Sequence, residues 1–246
     1  MSENTATIEQ AQAVCKTCGQ AFYYEPIWIG NCDYGKFVNT QCDLCAAAAE
    51  AREEARRKAE RQAVIEGQIR AQIPPDLIDT DPAHPEFNRE LWAGVRGWRP
   101  GENFWLGIIG DSGLCKTRCM ALLAAKAMRA GVRVTWSTAN RLKDAASDRT
   151  HRELSVSMLA RQHLQDCLHS GWLFLDDLGK NEWSPAFESQ FFNILDHRKN
   201  HRLPLVFSSN CHPEGFSQLI SPFNRAPIIG RLLDRTVLID LTGDNS

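Results

Sequence analysis

Residues 104–118 read FWLGIIGDSGLCKTR, and they constrain most of what this chain of 246 residues can fold into. An apolar run at 104–109 reaches a glycine-bearing loop. The loop leads directly into an alanine- and leucine-rich stretch, 120–130, with helical spacing, so the order is strand, loop, helix. Gly110, Asp111, Ser112, Gly113, Leu114, Cys115, Lys116 and Thr117 fill the phosphate-binding pattern G-x-x-x-x-G-K-[ST], departing from it only where Cys115 takes the place of the second glycine. The residue types suit a triphosphate. A helix start offers unpaired N–H groups at the positive end of its dipole, and glycine lets that backbone come close. Lys116 is placed to meet the β- and γ-phosphates, and the Thr117 hydroxyl to enter the shell of a bridging Mg²⁺. Arg118 adjoins the set, although its place one turn into the helix points it away from a γ-phosphate. A side chain at Cys115 costs about 1–2 kcal/mol if φ must be positive there, so weakened nucleotide binding is expected. The alternative is a glycine-containing strand-to-helix turn of another α/β protein.

The net charge of −2 provides no overall basic field, so contact with nucleic acid must come from local patches. No apolar run is long enough to span a bilayer and the first ten residues are polar, which predicts a cytoplasmic protein without membrane attachment. Nine cysteines would mean disulfides in a secreted chain. Here four of them form two C-x₂-C pairs, Cys15 with Cys18 and Cys42 with Cys45, and two such knuckles can present four thiolates to Zn²⁺. The segment between them is too short to build a core unaided, so a metal would explain how it folds. Cys32 is a spare that can replace one knuckle ligand, and the alternative is a set of reduced thiols without metal. Residues 1–12 read as a disordered tail. Residues 44–73 read as one long helix with Glu53 and Arg57 spaced i,i+4, ended by Ile73-Pro74-Pro75, and residues 74–103 read as a linker.

Beyond the loop, 132–137 is a second strand and 140–152 a polar insertion carrying Arg141, Lys143, Arg149 and Arg152. That insertion is either a solvated face or a surface turned to a DNA strand inside a ring of subunits. A helix follows at 154–169. Residues 172–177, WLFLDD, describe a buried strand whose tip carries two acids, the place where open parallel sheets bind ligands. Asp176 suits the Mg²⁺ shell, and Asp177 suits orienting the attacking water. A helix at 184–199 presents Phe187, Phe191, Ile194 and Leu195 on one face, with His197 and His201 read as surface residues. The strand at 203–207 ends in Ser208-Ser209-Asn210, where the Asn210 amide can hold water near a γ-phosphate. A short helix at 228–233 carries Arg231, and the last strand is 236–241.

GDSGLCKT, WLFLDDLG, ILDHRKNHRLPLVFSSN and PIIGRLLDR together resemble the AAA+ ATPases of the DnaC-type helicase loaders and their IstB-type transposition relatives, over roughly residues 74–241. The resemblance implies an α/β, ASCE-type P-loop sheet sandwiched by helices, preceded by a small zinc-binding module and a long helix. It implies three parts: a tail and four-cysteine zinc-binding module at 1–45, a connecting helix at 46–73, and an ATPase domain at 74–246. Only five residues follow Leu241, so this domain is expected to lack the helical lid. It further implies ATP and Mg²⁺ at Lys116, Thr117 and Asp176, Asn210 as the sensor asparagine, and Arg231 as an arginine finger presented to a neighbouring subunit. The implied partners are a replicative helicase or transposase gripped by the N-terminal module, single-stranded DNA, and further copies of the chain in a head-to-tail spiral. Cys115 in the loop and Asp177, where many relatives have glutamate, depart from the pattern. Two other classes stay open: a non-hydrolysing ATP-switched adaptor, and a small P-loop kinase with an unrelated metal module.

Overall fold

In a computed structural model of the chain, which describes residues 10–180 and 182–242, the described residues fall into two compact units, one up to residue 64 and one from residue 65. In the first, β1 (Ala11–Val14) pairs antiparallel with β2 (Ala21–Tyr24), and the first C-x₂-C pair turns the chain between them. A second hairpin, β3 (Trp28–Ile29) and β4 (Cys32–Asp33), leads to the short helix α1 (Gly35–Val38). This unit is poor in core. Tyr23, Trp28 and Phe37 are each more than half exposed, and polar bonds substitute for packing. The Asp33 carboxylate accepts from the Tyr24 hydroxyl at 2.6 Å and from the backbone N–H groups of Gly35 and Ile27. Those donors hold its carboxyl below the usual range, the Tyr24 bond foremost.

The long helix α2 (Asp43–Gln72) begins inside the second C-x₂-C pair. Along it Glu53 pairs with Arg56 and Arg57, exposed contacts worth little individually. The prolines after Ile73 end it, Pro75 opening α3 (Pro75–Ile78). Of the tail expected over 1–12, residues 1–9 lie outside the described residues, while Ala11 and Gln12 belong to β1.

The second unit continues with α4 (Arg89–Arg96), β5 (Trp105–Ile109), α5 (Lys116–Arg129), β6 (Val134–Thr138), α6 (Ala139–Asp148), α7 (Leu154–His169), β7 (Trp172–Leu178), α8 (Pro185–Asn200), β8 (Leu205–Ser209), α9 (Pro222–Asp234) and β9 (Thr236–Asp240). The five strands run parallel in the order β6-β7-β8-β5-β9. β5 and β8 are buried at every residue, as strands covered on both faces must be. One face packs on α6, α7, α8 and α9 through residues such as Leu142, Leu164, Phe191 and Leu232. The other packs on α5, the leader and the end of α2 through Met120, Leu91, Val95 and Ile69.

Two segments differ from the sequence expectation. Residues 74–103 are not a loose linker, since Leu77, Phe87, Leu91 and Val95 are buried in the core beside α5, and Asn88 caps α4 by accepting from the Leu91 N–H. Residues 140–152 are largely α6, capped by Thr138, with Leu142, Ala145 and Ala146 buried.

The centre of the sheet tolerates no side chain at Gly107. A Cβ there would stand 2.6 Å from both Leu238 Cδ2 and Phe207 Cζ, and Phe207 is fully buried. Gly107→Ala is therefore expected to destabilise the second unit by about 1–3 kcal/mol, read as a lower midpoint in chemical denaturation.

Candidate active site and four-cysteine cluster

The loop leaves β5 at Gly110, where a Cβ would lie 2.7 Å from Leu241 Cβ, so glycine is required by close approach. It ends at Cys115, the residue before α5, with φ 62° and ψ 19°. The position where the sequence pattern has glycine is thus left-handed, and the cysteine adopts that conformation. Its sulfur lies 3.5 Å from the Glu86 carbonyl oxygen. Beside it a cavity of about 330 Å³ is lined by Asp79, His84, Phe87, Gly113, Cys115 and Arg118.

Lys116, only 7% exposed, donates through Nζ to the carbonyl oxygens of Gly110 and Asp111, both at 2.7 Å, and to Asn210 Oδ1 at 2.9 Å. Asn210 follows the end of β8, and its Nδ2 lies 3.4 Å from Ser112 Oγ. Burial lowers the lysine pKa, opposed by the charges of Asp177, Asp176 and Asp111. The Thr117 hydroxyl donates to Asp176 Oδ1 at 2.9 Å, and the Ser208 hydroxyl donates to the same oxygen. Burial raises the Asp176 pKa while these two donors pull it down.

The acid pair sits on an irregularity. Leu175 stands opposite Phe207 and Leu178 opposite Ser209, so three steps along β7 match two along β8. The extra residue is a bulge, and Asp177 carries φ 58°. Regular pleating sends consecutive side chains to opposite faces; the bulge breaks that alternation where two carboxylates adjoin. Ser208 secures it, because its oxygen also accepts from the Asp177 N–H at 3.0 Å. The Asp177 carboxylate turns outward to Lys180 at 3.4 Å. A serine on a buried strand carries no sequence signal for this task; only the register reveals it.

Gly110, Asp111, Ser112, Lys116, Thr117, Asp176 and Asn210 are thus brought together, with Asp177 beside them. Arg231 is not among them. Its Nε is 2.8 Å from Asp196 Oδ1, and its guanidinium carbon lies 4.2 Å from the centre of the Phe192 ring. Asp234, three residues further along α9, pairs with Lys199 at 2.6 Å.

In the first unit the sulfurs of Cys15, Cys18, Cys42 and Cys45 all lie within 4.8 Å of one another, and Cys18 and Cys42 are 3.8 Å apart. Four thiolates around Zn²⁺ stand about 3.8 Å apart for Zn–S bonds of about 2.3 Å, so the set fits that ion. Cys32 lies outside it. The backbone N–H groups of Cys42 and Cys18 lower the Cys15 pKa to about 6, whereas Cys45, bonded to the Cys42 and Cys18 sulfurs, is pushed up to about 12. A cluster this tight does not give up all its protons unless a cation takes their place.

The sheet order places β8 between the loop strand β5 and the acid strand β7, and with the loop and the acid pair it defines an α/β P-loop fold of the AAA+ type. The family model described as IstB-like ATP binding protein matches residues 100–245, more than half of the chain, and the chain belongs to that family. No curated protein matches it. Among solved structures the fold is similar to DnaI, at 20% identity and TM-score 0.54 over 68% of this chain and 94% of that one. It is similar also to the DnaC helicase loader, at 20% identity and TM-score 0.50 over 70% and 98%. AMPPCP-bound DnaA from Aquifex aeolicus matches at 18% identity and TM-score 0.51 over 68% of this chain and 50% of that one. The chain thus spans about half the length of the DnaA structure, and likewise 51% of a structure described as a DNA replication initiation factor. Among the described residues no helix is long and apolar enough to cross a membrane.

The left-handed backbone at Cys115 is the conformation on which the expectation of weakened binding depends. Cys115→Gly is expected to relieve backbone strain, stabilising the second unit by about 1 kcal/mol and tightening ATP binding, checked by thermal melting and equilibrium titration.

Proposed function

We propose that this chain is an ATP-hydrolysing AAA+ subunit that assembles head to tail on DNA and uses the ATP cycle to load or remodel a DNA-processing machine, a replicative helicase or a transposase. The observation that carries the reading is the convergence of Lys116, Thr117, Asp176 and Asn210 at the carboxyl ends of three neighbouring strands. In this reading the β- and γ-phosphates replace the loop carbonyls and Asn210 as partners of Lys116. The N–H groups at the start of α5 meet the β-phosphate, and the cavity lined by His84, Phe87 and Arg118 receives the nucleoside end. Thr117 and Asp176 are the residues that would hold Mg²⁺, which would supply charge neutralisation for phosphoryl transfer. Asp177 and Asn210 orient the attacking water from either side of the gap. Arg231 acts on the ATP of a neighbouring copy, which makes the assembly part of the chemistry.

The four cysteines hold Zn²⁺, and the unit they staple grips the partner machine. Membership of the IstB-like family favours a DNA-processing role, and Arg141, Lys143, Arg149 and Arg152 are the basic residues offered to single-stranded DNA. A second reading, an ATP-switched adaptor with little turnover, is favoured by one observation, the Asp177 carboxylate engaged with Lys180 rather than facing the loop.

Turnover separates the two readings. Lys116→Ala is expected to abolish ATP binding, and Asp177→Asn to preserve binding while lowering hydrolysis by about 10²-fold or more. Asp177→Asn protein that hydrolyses at the wild-type rate would remove Asp177 as the water-orienting acid, and wild-type protein with negligible turnover would leave the switch as the better account.

Protein purified without chelators should contain about one zinc per chain. Cys42→Ser should lose that zinc and expose residues 13–45 to protease while ATP binding persists. A metal-free preparation with an intact N-terminal unit would refute the zinc assignment.

A further inference from the structure

α8 follows directly from the acid strand, Leu178 ending β7 and Pro185 opening the helix. Three of its residues, Glu188, Phe192 and Asp196, stand at intervals of four and so lie along one stripe. Each touches α9 or its entry. Glu188, 3% exposed, accepts from the Ser221 N–H at 2.7 Å, the Ser221 hydroxyl at 2.6 Å and Asn224 Nδ2 at 2.7 Å. Burial alone would raise its pKa, but these donors hold it below the usual range, so the carboxylate stays charged and gripped. One turn on, the Phe192 ring lies beneath the Arg231 guanidinium, and one turn further Asp196 bonds its Nε.

That leaves the guanidinium in a particular attitude. One face rests on a ring and Nε is taken, while neither terminal nitrogen makes a hydrogen bond within the described residues. An arginine serving only to pin α9 to α8 would gain most from a bidentate pairing, which engages at least one terminal nitrogen. Here the fork is left for something outside, with a side chain 30% exposed.

We infer that the Glu188, Phe192 and Asp196 stripe is a positioning device. It seats α9 and aims the terminal nitrogens of Arg231 at a phosphoryl group held by the adjacent copy of the chain, and it does so from a helix anchored on this copy's own acid strand. The inference rests on the role proposed above for Arg231 and names what enforces it. A free arginine gives up rotamer entropy when it binds an anion, and a fork already held loses less of it. Donors fixed in advance are also those that stabilise developing charge without reorganising.

The test uses mixed assemblies of full-length chains. A donor chain with Lys116→Ala keeps its arginine but lacks a pocket, and a receiver chain with Arg231→Ala keeps its pocket but lacks the arginine; together they should hydrolyse ATP. Adding Asp196→Ala, or separately Phe192→Leu, to the donor should lower that turnover by about 10-fold or more, the scale of a small misplacement of a reacting group. Either change in the receiver should leave it within about twofold, and Phe192→Tyr in the donor should restore most of the rate, because the ring face is kept. Equal loss in donor and receiver would mean a merely structural stripe, and a faster donor would mean that Asp196 restrains the arginine instead; both overturn the inference. If donor and receiver do not complement at all, the role of Arg231 in trans falls, and this inference falls with it. Melting of each variant identifies loss through unfolding, and the Phe192 pair still decides if Asp196→Ala does not fold.

Discussion

An ammonium group buried at the carboxyl rim of a parallel sheet must be surrounded by acceptors, and the site is shaped by that need. Removing a charge from water costs several kcal/mol unless hydrogen bonds replace the lost hydration. For Lys116 the replacements are two loop carbonyls and the amide oxygen of Asn210. The first two close the loop on itself, and the third ties it to β8. Across the rim Asp176 faces the complementary difficulty and meets it with the hydroxyls of Thr117 and Ser208. Opposite charges, each individually costly to bury, thus draw together the tips of three strands and the first turn of α5.

Much of this was legible in the sequence, for a physical reason. Strands covered on both faces must be apolar throughout, so the ends of β5, β7 and β8 stand out where the run gives way to glycine, acids or amide. Cysteine pairs with two residues between them declare themselves similarly, since few other arrangements use that spacing. Helix α6 was obscured because Ala145 and Ala146 contribute little to an apolar pattern while Arg141, Lys143 and Asp144 dominate its appearance. The leader was misread through its prolines and acids, although Phe87, Leu91 and Val95 repeat at four-residue intervals along one buried face.

Other features lie beyond any local pattern. Ser208 matters through a register that only the paired strands define, and Asp196 meets an arginine 35 positions away on another helix. Arg198 belongs with them. It reads as one more basic residue in a charged helix end, yet it is fully buried and donates to the carbonyl oxygens of Cys167, Ser170 and Pro204. It thereby closes the end of α7 onto the start of β8, and burial lowers its pKa to about 9.

The place of β8 has a further consequence. Neighbouring strands stand about 4.8 Å apart, so the strand lying between loop and acid separates their tips by roughly twice that, a span set by the backbone ladder rather than by any side chain. The sheet acts as a ruler. Side chains close that span at its floor, Lys116 reaching Asn210 and Thr117 reaching Asp176, so the backbone spacing is fixed while the contacts across it can be exchanged. Substitutions at the rim can change which groups meet across the gap, but not how far apart their strands stand.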